Sequence, residues 1–148
     1  EMTPEKTKEE PFLKINPRGQ LPAYIDVDGS VLLESGAILL KVLDQFDTEH
    51  KLLAASGSQR YKALEIIFFA LTGLYPNLSA LSDKNKDDGE AKKYSLAQRP
   101  KLLEHVDYLL RETTTGFLFG DTVGAADLVL CYNLCGYMFS PEAPEFKG

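Results

Sequence analysis

Cysteine is scarce in this sequence. Only two occur among 148 residues, Cys131 and Cys135, four apart on a stretch with helical patterning. A disulfide framework and a metal site both lack partners at that count. The pair therefore reads as small core residues or free thiols in a reducing compartment, and no metal is expected. Histidine is equally sparse. His50 and His105 stand far apart, with no carboxylate or cysteine at ligand spacing, and read as surface or helix-face residues. No Ser–His–Asp or Cys–His arrangement is legible. Positive charge is in deficit: 16 Lys and Arg against 22 Asp and Glu leave a net charge of −6. That disfavours nucleic acid and acidic membranes as partners, since both want a basic face. No apolar run reaches membrane-spanning length; the densest, Ile66 to Leu71, is far too short. The start carries no signal-peptide pattern, so a cytoplasmic location is the default expectation.

What is present is ordinary for a globular protein: 44% hydrophobic and 26% charged residues. That suffices for one good core or two small ones sharing an interface. No internal repeat or low-complexity segment is visible. The stretch that organises the chain runs from Asn16 to Leu43. Asn16-Pro17 signals a turn. Leu21 to Asp26 is a short run of strand type, Asp28-Gly29 a strong hairpin signal, and Val31 to Leu33 the return strand. Glu34-Ser35-Gly36 opens a helix ending near Phe46, with Ser35 suited to cap it. A helix start carries partial positive charge and free N–H groups, which suits a carboxylate, and Glu34 offers a negative partner for an amine. A group bearing both an α-amine and an α-carboxylate could be held here at both ends. Strands tolerate proline mainly at an edge or first position. A cis Leu21–Pro22 bond, a minority state, would turn the Leu21 backbone outward, free to pair with a bound peptide.

The remainder reads as a loop or frayed short helix over residues 1 to 11, anchors at Phe12, Leu13 and Ile15, and a linker over 47–57. Helical sequence follows. Tyr61, Leu64, Ile67, Phe68 and Leu71 recur at spacings of three and four, and Tyr75-Pro76 ends or kinks that helix. A polar loop covers 82–90. A second helix spans about Glu90 to Arg111, with a kink or break near Gln98 ahead of Pro100. Ala125 to Met138, nearly all apolar and small, reads as a buried central helix, and Pro141 and Pro144 break the tail.

The run NPRGQLPAY, a hairpin and then LLESGAIL resembles the second half of the glutathione-binding domain of cytosolic glutathione transferases. Phe119 to Leu128, FGDTVGAADL, is similar to the segment that opens a central helix in that family's helical domain. The two motifs stand about as far apart as the family would place them, and the likeness covers nearly the whole chain. It implies an α/β plus all-α architecture: an incomplete thioredoxin-like domain over 1–46, a linker over 47–57, and an all-helical domain over 58–148. It also implies that a first strand–helix–strand portion precedes Glu1.

The same resemblance assigns roles. Glu34 and Ser35 would grip the γ-glutamyl amine and carboxylate of glutathione. The Leu21 backbone would pair with the cysteinyl unit, and Gln20 would reach its backbone or glycyl end. Lys8 would meet the glycyl carboxylate, as in plant-type (phi) and similar bacterial members. Pro22 and Asp127 would be structural, Asp127 reaching back to the helix cap. The family usually places Ser or Thr at that cap, where this chain has Gly124. The thiol-activating Tyr, Ser or Cys belongs to the family's first strand and helix, so no residue here takes the catalytic role. The implied function is a transferase joining the glutathione thiol to small hydrophobic electrophiles or reducing peroxides. It would use glutathione as substrate, act as a homodimer, and take the electrophile between its domains, with Phe68, Phe69, Leu74 and Tyr75 as candidate walls. Two alternatives stay open. One is a non-catalytic assembly module like those of elongation factor gamma subunits or aminoacyl-tRNA synthetases; the other is an omega-type thiol reductase.

Overall fold

The computed structural model describes residues 2–3, 5–79 and 89–138. The chain divides between Thr48 and Glu49 into two units, each with its own small core.

In the first unit a 3-10 turn, Lys6–Lys8, leads into a short helix α1, Glu10–Leu13. Strands β1, Tyr24–Ile25, and β2, Val31–Leu32, form an antiparallel pair in the register Tyr24↔Leu32 and Ile25↔Val31. Helix α2 spans Ser35–Phe46 and ends where the Asp47 N–H bonds the Leu43 carbonyl at 2.8 Å. Phe12 and Leu43 supply the buried apolar side chains; Thr7 and Asn16 are buried beside them in the sequence of the unit. β1 is shorter than the expected run from Leu21 to Asp26. Pro22 has no N–H to give a ladder, its bond to Leu21 is cis, and pairing begins only at Tyr24.

The hairpin also differs from the two-residue turn that Asp28-Gly29 suggests. Asp26 and Ser30 close a three-residue loop: the Asp26 N–H bonds the Ser30 carbonyl at 2.8 Å, and the Gly29 N–H bonds the Asp26 carbonyl at 2.9 Å. Gly29, at φ 84°, takes the left-handed position of such a loop. Asp28 accepts from the Ser30 N–H and Asp26 from the Val27 N–H, each at 2.8 Å. Asp26 reaches back as well, pairing with Lys41 of α2 at 2.6 Å. This ion pair fixes α2 against the hairpin. It also holds the Asp26 carboxyl below its usual range, chiefly through the Lys41 hydrogen bond and then the Val27 N–H.

The second unit is helical. Helix α3, Gly57–Phe68, passes directly into a π-helical segment, Phe69–Leu74, and then into α4, Tyr75–Ser79. Helix α5 spans Gly89–Arg111 and α6 spans Ala125–Met138. Tyr75-Pro76 therefore does not end the first helix. A proline removes one i→i−4 hydrogen bond, and the ladder widens just before it: the Tyr75 N–H bonds the Ala70 carbonyl, five residues back. Asn77 Nδ2 takes up the Gly73 carbonyl at 2.7 Å. Pro100 likewise lies inside an unbroken α5, so the expected break near Gln98 does not occur.

The buried stripe of this long helix is Ala63, Ile66, Ile67, Ala70, Leu74 and Leu78. It shares only Ile67 with the stripe read from sequence, of which Tyr61 is 70% and Phe68 45% exposed. Small residues decide this. Ala63 and Ala70 lie in the buried stripe, α3 packs against α6, and that helix presents Ala125, Ala126 and Leu130 to the core. Nor is α6 buried all round: Leu128 is 52% and Tyr132 78% exposed. The expected polar loop falls largely on residues 80–88, outside the described residues, and the chain is already helical at Gly89. Pro141 and Pro144 also lie outside them.

Candidate functional site

Asn16 builds the loop that the sequence singled out. Its side chain is completely buried. Nδ2 donates to the Gln20 carbonyl at 2.6 Å, Oδ1 accepts from the Arg18 N–H at 3.1 Å, and its carbonyl accepts from the Gly19 N–H at 2.8 Å. Asparagine favours this role because its side chain bonds the backbone two residues on. Gly19 sits at φ 59°, and a Cβ there would meet the Thr7 carbonyl oxygen at 2.8 Å; only glycine fits. Lys8 donates from Nζ to the Gly19 carbonyl at 3.0 Å, which places the lysine on the loop. At the loop's end Leu21 is 56% exposed, and its backbone N–H and C=O have no hydrogen-bond partner among the described residues.

Arg18 joins this loop to the start of α2. Its Nη2 donates to the Leu33 carbonyl at 3.3 Å and to Glu34 Oε1 at 2.8 Å. Glu34, not Ser35, occupies the cap position, with φ −109° and ψ 129°, and it makes no side-chain cap bond. Glu34 is still extended after β2, and its carboxylate is drawn to the Arg18 guanidinium. Ser35 is instead the first helical residue. It is exposed, with no partner for its hydroxyl among the described residues. The first bond into the helix start runs from the Ile38 N–H to the Glu34 carbonyl at 2.9 Å, so among the described residues the N–H groups of Ser35, Gly36 and Ala37 have no partner. The chain thus brings Lys8 onto the loop that carries Gln20 and Leu21, and Arg18 bridges that loop to Leu33 and Glu34, directly before Ser35. Asn16 and Arg18 were not singled out from the sequence as site residues. The Asn-Pro turn signal could have flagged Asn16; Arg18 carried no signal.

In the second unit a cavity of about 270 Å³ is lined by Lys62, Glu65, Phe69, His105, Tyr108 and Phe119, among others. His105 meets Phe69 edge-on, ring centroids 4.7 Å apart, and lies near-parallel to Tyr108 at 6.1 Å. Lys62 and Glu65 pair at 2.8 Å, which pushes the lysine up and the carboxyl down. Of the four candidate wall residues, Leu74 is fully buried and belongs to the core, Phe69 faces this cavity, and Phe68 and Tyr75 are exposed. Asp127 works at the start of α6: Oδ2 accepts from the Gly124 N–H and Oδ1 from the Leu118 N–H, both at 2.8 Å. Glycine in the cap position suits the packing there, since a Cβ on Gly124 would lie 3.3 Å from the Leu52 carbonyl oxygen. That same carbonyl accepts the Ala125 N–H at 2.8 Å. Among the described residues no cluster of three or more His, Cys, Asp or Glu could hold a metal ion. No described helix is long and apolar enough to cross a membrane.

Comparison with known proteins gives a consistent answer. The model of the glutathione S-transferase N-terminal domain matches residues 1–42, and that of the C-terminal domain matches residues 71–147. A curated glutathione S-transferase of Escherichia coli O157:H7 is 29% identical over 101 residues, 68% of this chain and 50% of its own length. One from Emericella nidulans is 29% identical over 130 residues, 83% of this chain and 56% of its own. The chain therefore spans about half the length of these curated relatives. Among solved structures, a glutathione transferase of Phanerochaete chrysosporium with oxidized glutathione superposes with a TM-score of 0.75 at 25% identity. The match covers 95% of this chain and 69% of that one. One from Methylococcus capsulatus gives 0.69 at 30% identity, over 85% and 62%. The fold is thus a short two-stranded piece of the thioredoxin-like domain followed by the helical domain, and with both family domains matched in order along one chain, this protein belongs to the glutathione S-transferase family.

Proposed function

We propose that the protein binds glutathione on its first unit and serves a transferase that joins the glutathione thiol to small hydrophobic electrophiles or reduces peroxides with it. The observation that carries this reading is the start of α2. Three unpaired backbone N–H groups and the free Ser35 hydroxyl lie beside a carboxylate whose Oε1 is held by Arg18. Helix N-termini attract carboxylates, so the γ-glutamyl carboxylate docks on Ser35 and the following N–H groups while Glu34 takes the amine. The unpaired Leu21 backbone meets the cysteinyl unit as a short strand partner. Gln20 and the remaining donors of Lys8 meet the glycyl end. Glutathione enters as substrate, and no metal is required by these contacts. Thiol activation is assigned to no residue of this chain. The solved relative from Phanerochaete chrysosporium carries oxidized glutathione, and one from Lodderomyces elongisporus carries two glutathione molecules per subunit; both support the reading. A homodimer in the cytoplasm is part of the same proposal.

Retention on immobilised glutathione tests it. Ser35→Ala removes a hydroxyl with no partner among the described residues, so the fold should be unaffected. A hydrogen bond to a charged group contributes about 1.5–3 kcal/mol, so affinity should fall about 10- to 100-fold. Glu34→Gln should weaken retention similarly. Variants retained as well as the parent would rule out this site. Conjugation of glutathione to an activated aryl chloride, assayed with the family's thiol-activating first strand and helix present, separates the enzyme from a module that only binds.

A further inference from the structure

Cys131 and Cys135 are the only cysteines in the sequence, and the function proposed above uses neither. They lie one turn apart on α6 with their sulfurs 3.6 Å from each other. Cys131 is exposed and Cys135 half-buried. Three ways of using two such thiols can be weighed. A disulfide wants its Cβ atoms about 3.5–4.5 Å apart, whereas residues four apart on a helix hold them at about 5–6 Å. Direct oxidation would therefore force the helix turn out of shape. A zinc ion closes a structural site with four ligands, and among the described residues no third His, Cys, Asp or Glu completes one. A single soft atom bridging both sulfurs meets neither obstacle. With bonds of about 2.3 Å, the length of a zinc–thiolate bond, a separation of 3.6 Å subtends about 100° at the bridging atom. That is the angle of a pyramidal or tetrahedral centre, so the backbone need not move.

We propose that Cys131 and Cys135 form a two-thiol site for trivalent arsenicals bearing one organic substituent. Such a centre needs two sulfur donors and brings its third bond with it. The oxide R–As=O condenses with both thiols: two As–S bonds form, the arsenic–oxygen bond breaks, and the two thiol protons leave with that oxygen as one water. Arsenic stays trivalent and nothing is oxidised. The thiols already share a hydrogen bond, which together with partial burial pushes the Cys135 thiol up. Leu128, three residues before Cys131, and Tyr132, three before Cys135, are both more than half exposed on the same helix, an apolar flank for an aryl substituent.

Phenylarsine oxide is the probe. Intact-mass spectrometry of the protein should show a one-to-one adduct with loss of water. Half-saturation should come at a concentration at least about 100-fold lower than for Cys131→Ser or Cys135→Ser. A small dithiol should strip the arsenical, and an equal concentration of a monothiol should not. Cys131→Ala, at an exposed position, serves as the second variant, with thermal melting to show that each variant is folded. Equal binding by folded single variants, or release by the monothiol, would overturn the proposal.

Discussion

At the scale of the residue, Asn16 is the part of the site with no exposed atom to advertise it. Its two side-chain hydrogen bonds shape the turn that sets Gln20 and Leu21 in place. Asn16→Ala leaves the Gln20 carbonyl and Arg18 N–H without those partners, and unsatisfied groups cost about 1–3 kcal/mol each when buried. We expect the first unit to lose about 2 kcal/mol of stability, read by urea unfolding, with weaker glutathione retention. An unfolding midpoint equal to the parent's would contradict this role. Glu34 and Ser35 were legible in the sequence as a pair, because a short polar break between a strand and an apolar helix marks a helix start. Which of the two takes the cap was not legible. It depends on Arg18, sixteen residues before Glu34, and a contact at that separation has no local signature.

At the scale of the element, the ion pair between Asp26 and Lys41 ties hairpin to helix. The Asp26 carboxyl is lowered from its ordinary value, so its contribution to stability is present above the unfolded-state value of about 3.9 and is lost as pH falls through the lower folded value. Lys41 is raised, so its contribution holds below its ordinary range and fades as pH climbs through the raised value. A carboxyl titration by NMR should place Asp26 below an ordinary aspartate, and Lys41→Met should move it upward. An unchanged midpoint would show that the pair does not hold the hairpin. Helix existence and the ends of α2 were readable from periodicity and from Asp47 after an apolar run. Helix facing was not. For α3, two stripes compete within one 3.6-residue period, and the choice rests on where Ala63 and Ala70 allow α6 to pack. The π-helical segment before Pro76 was also hidden, because periodicity treats a proline as an end while the backbone can widen by one residue instead.

At the scale of the whole molecule, two short motifs far apart in the sequence identified the family, and each answers to a physical task. NPRGQLP is a turn built on a buried asparagine and a glycine with no room for a Cβ. GDTVGAAD is a helix start held by Asp127 through the Gly124 and Leu118 N–H groups. Electrophile, reaction and assembly leave no such local mark, since each depends on surfaces that vary without disturbing the fold. The proposed homodimer would cover exposed aromatic residues such as Phe46 on α2 and Tyr61 on α3, 71% and 70% exposed. Sedimentation at micromolar concentration should return twice the monomer mass; a monomer would contradict it. The central claim, that the α2 start and the Asn16 loop hold glutathione, is tested most directly by titration calorimetry with reduced glutathione on the parent and on Ser35→Ala. The account predicts saturable binding at one site per chain and a loss of about 10- to 100-fold in the variant; no binding to the folded parent, or the same affinity in both proteins, would contradict it.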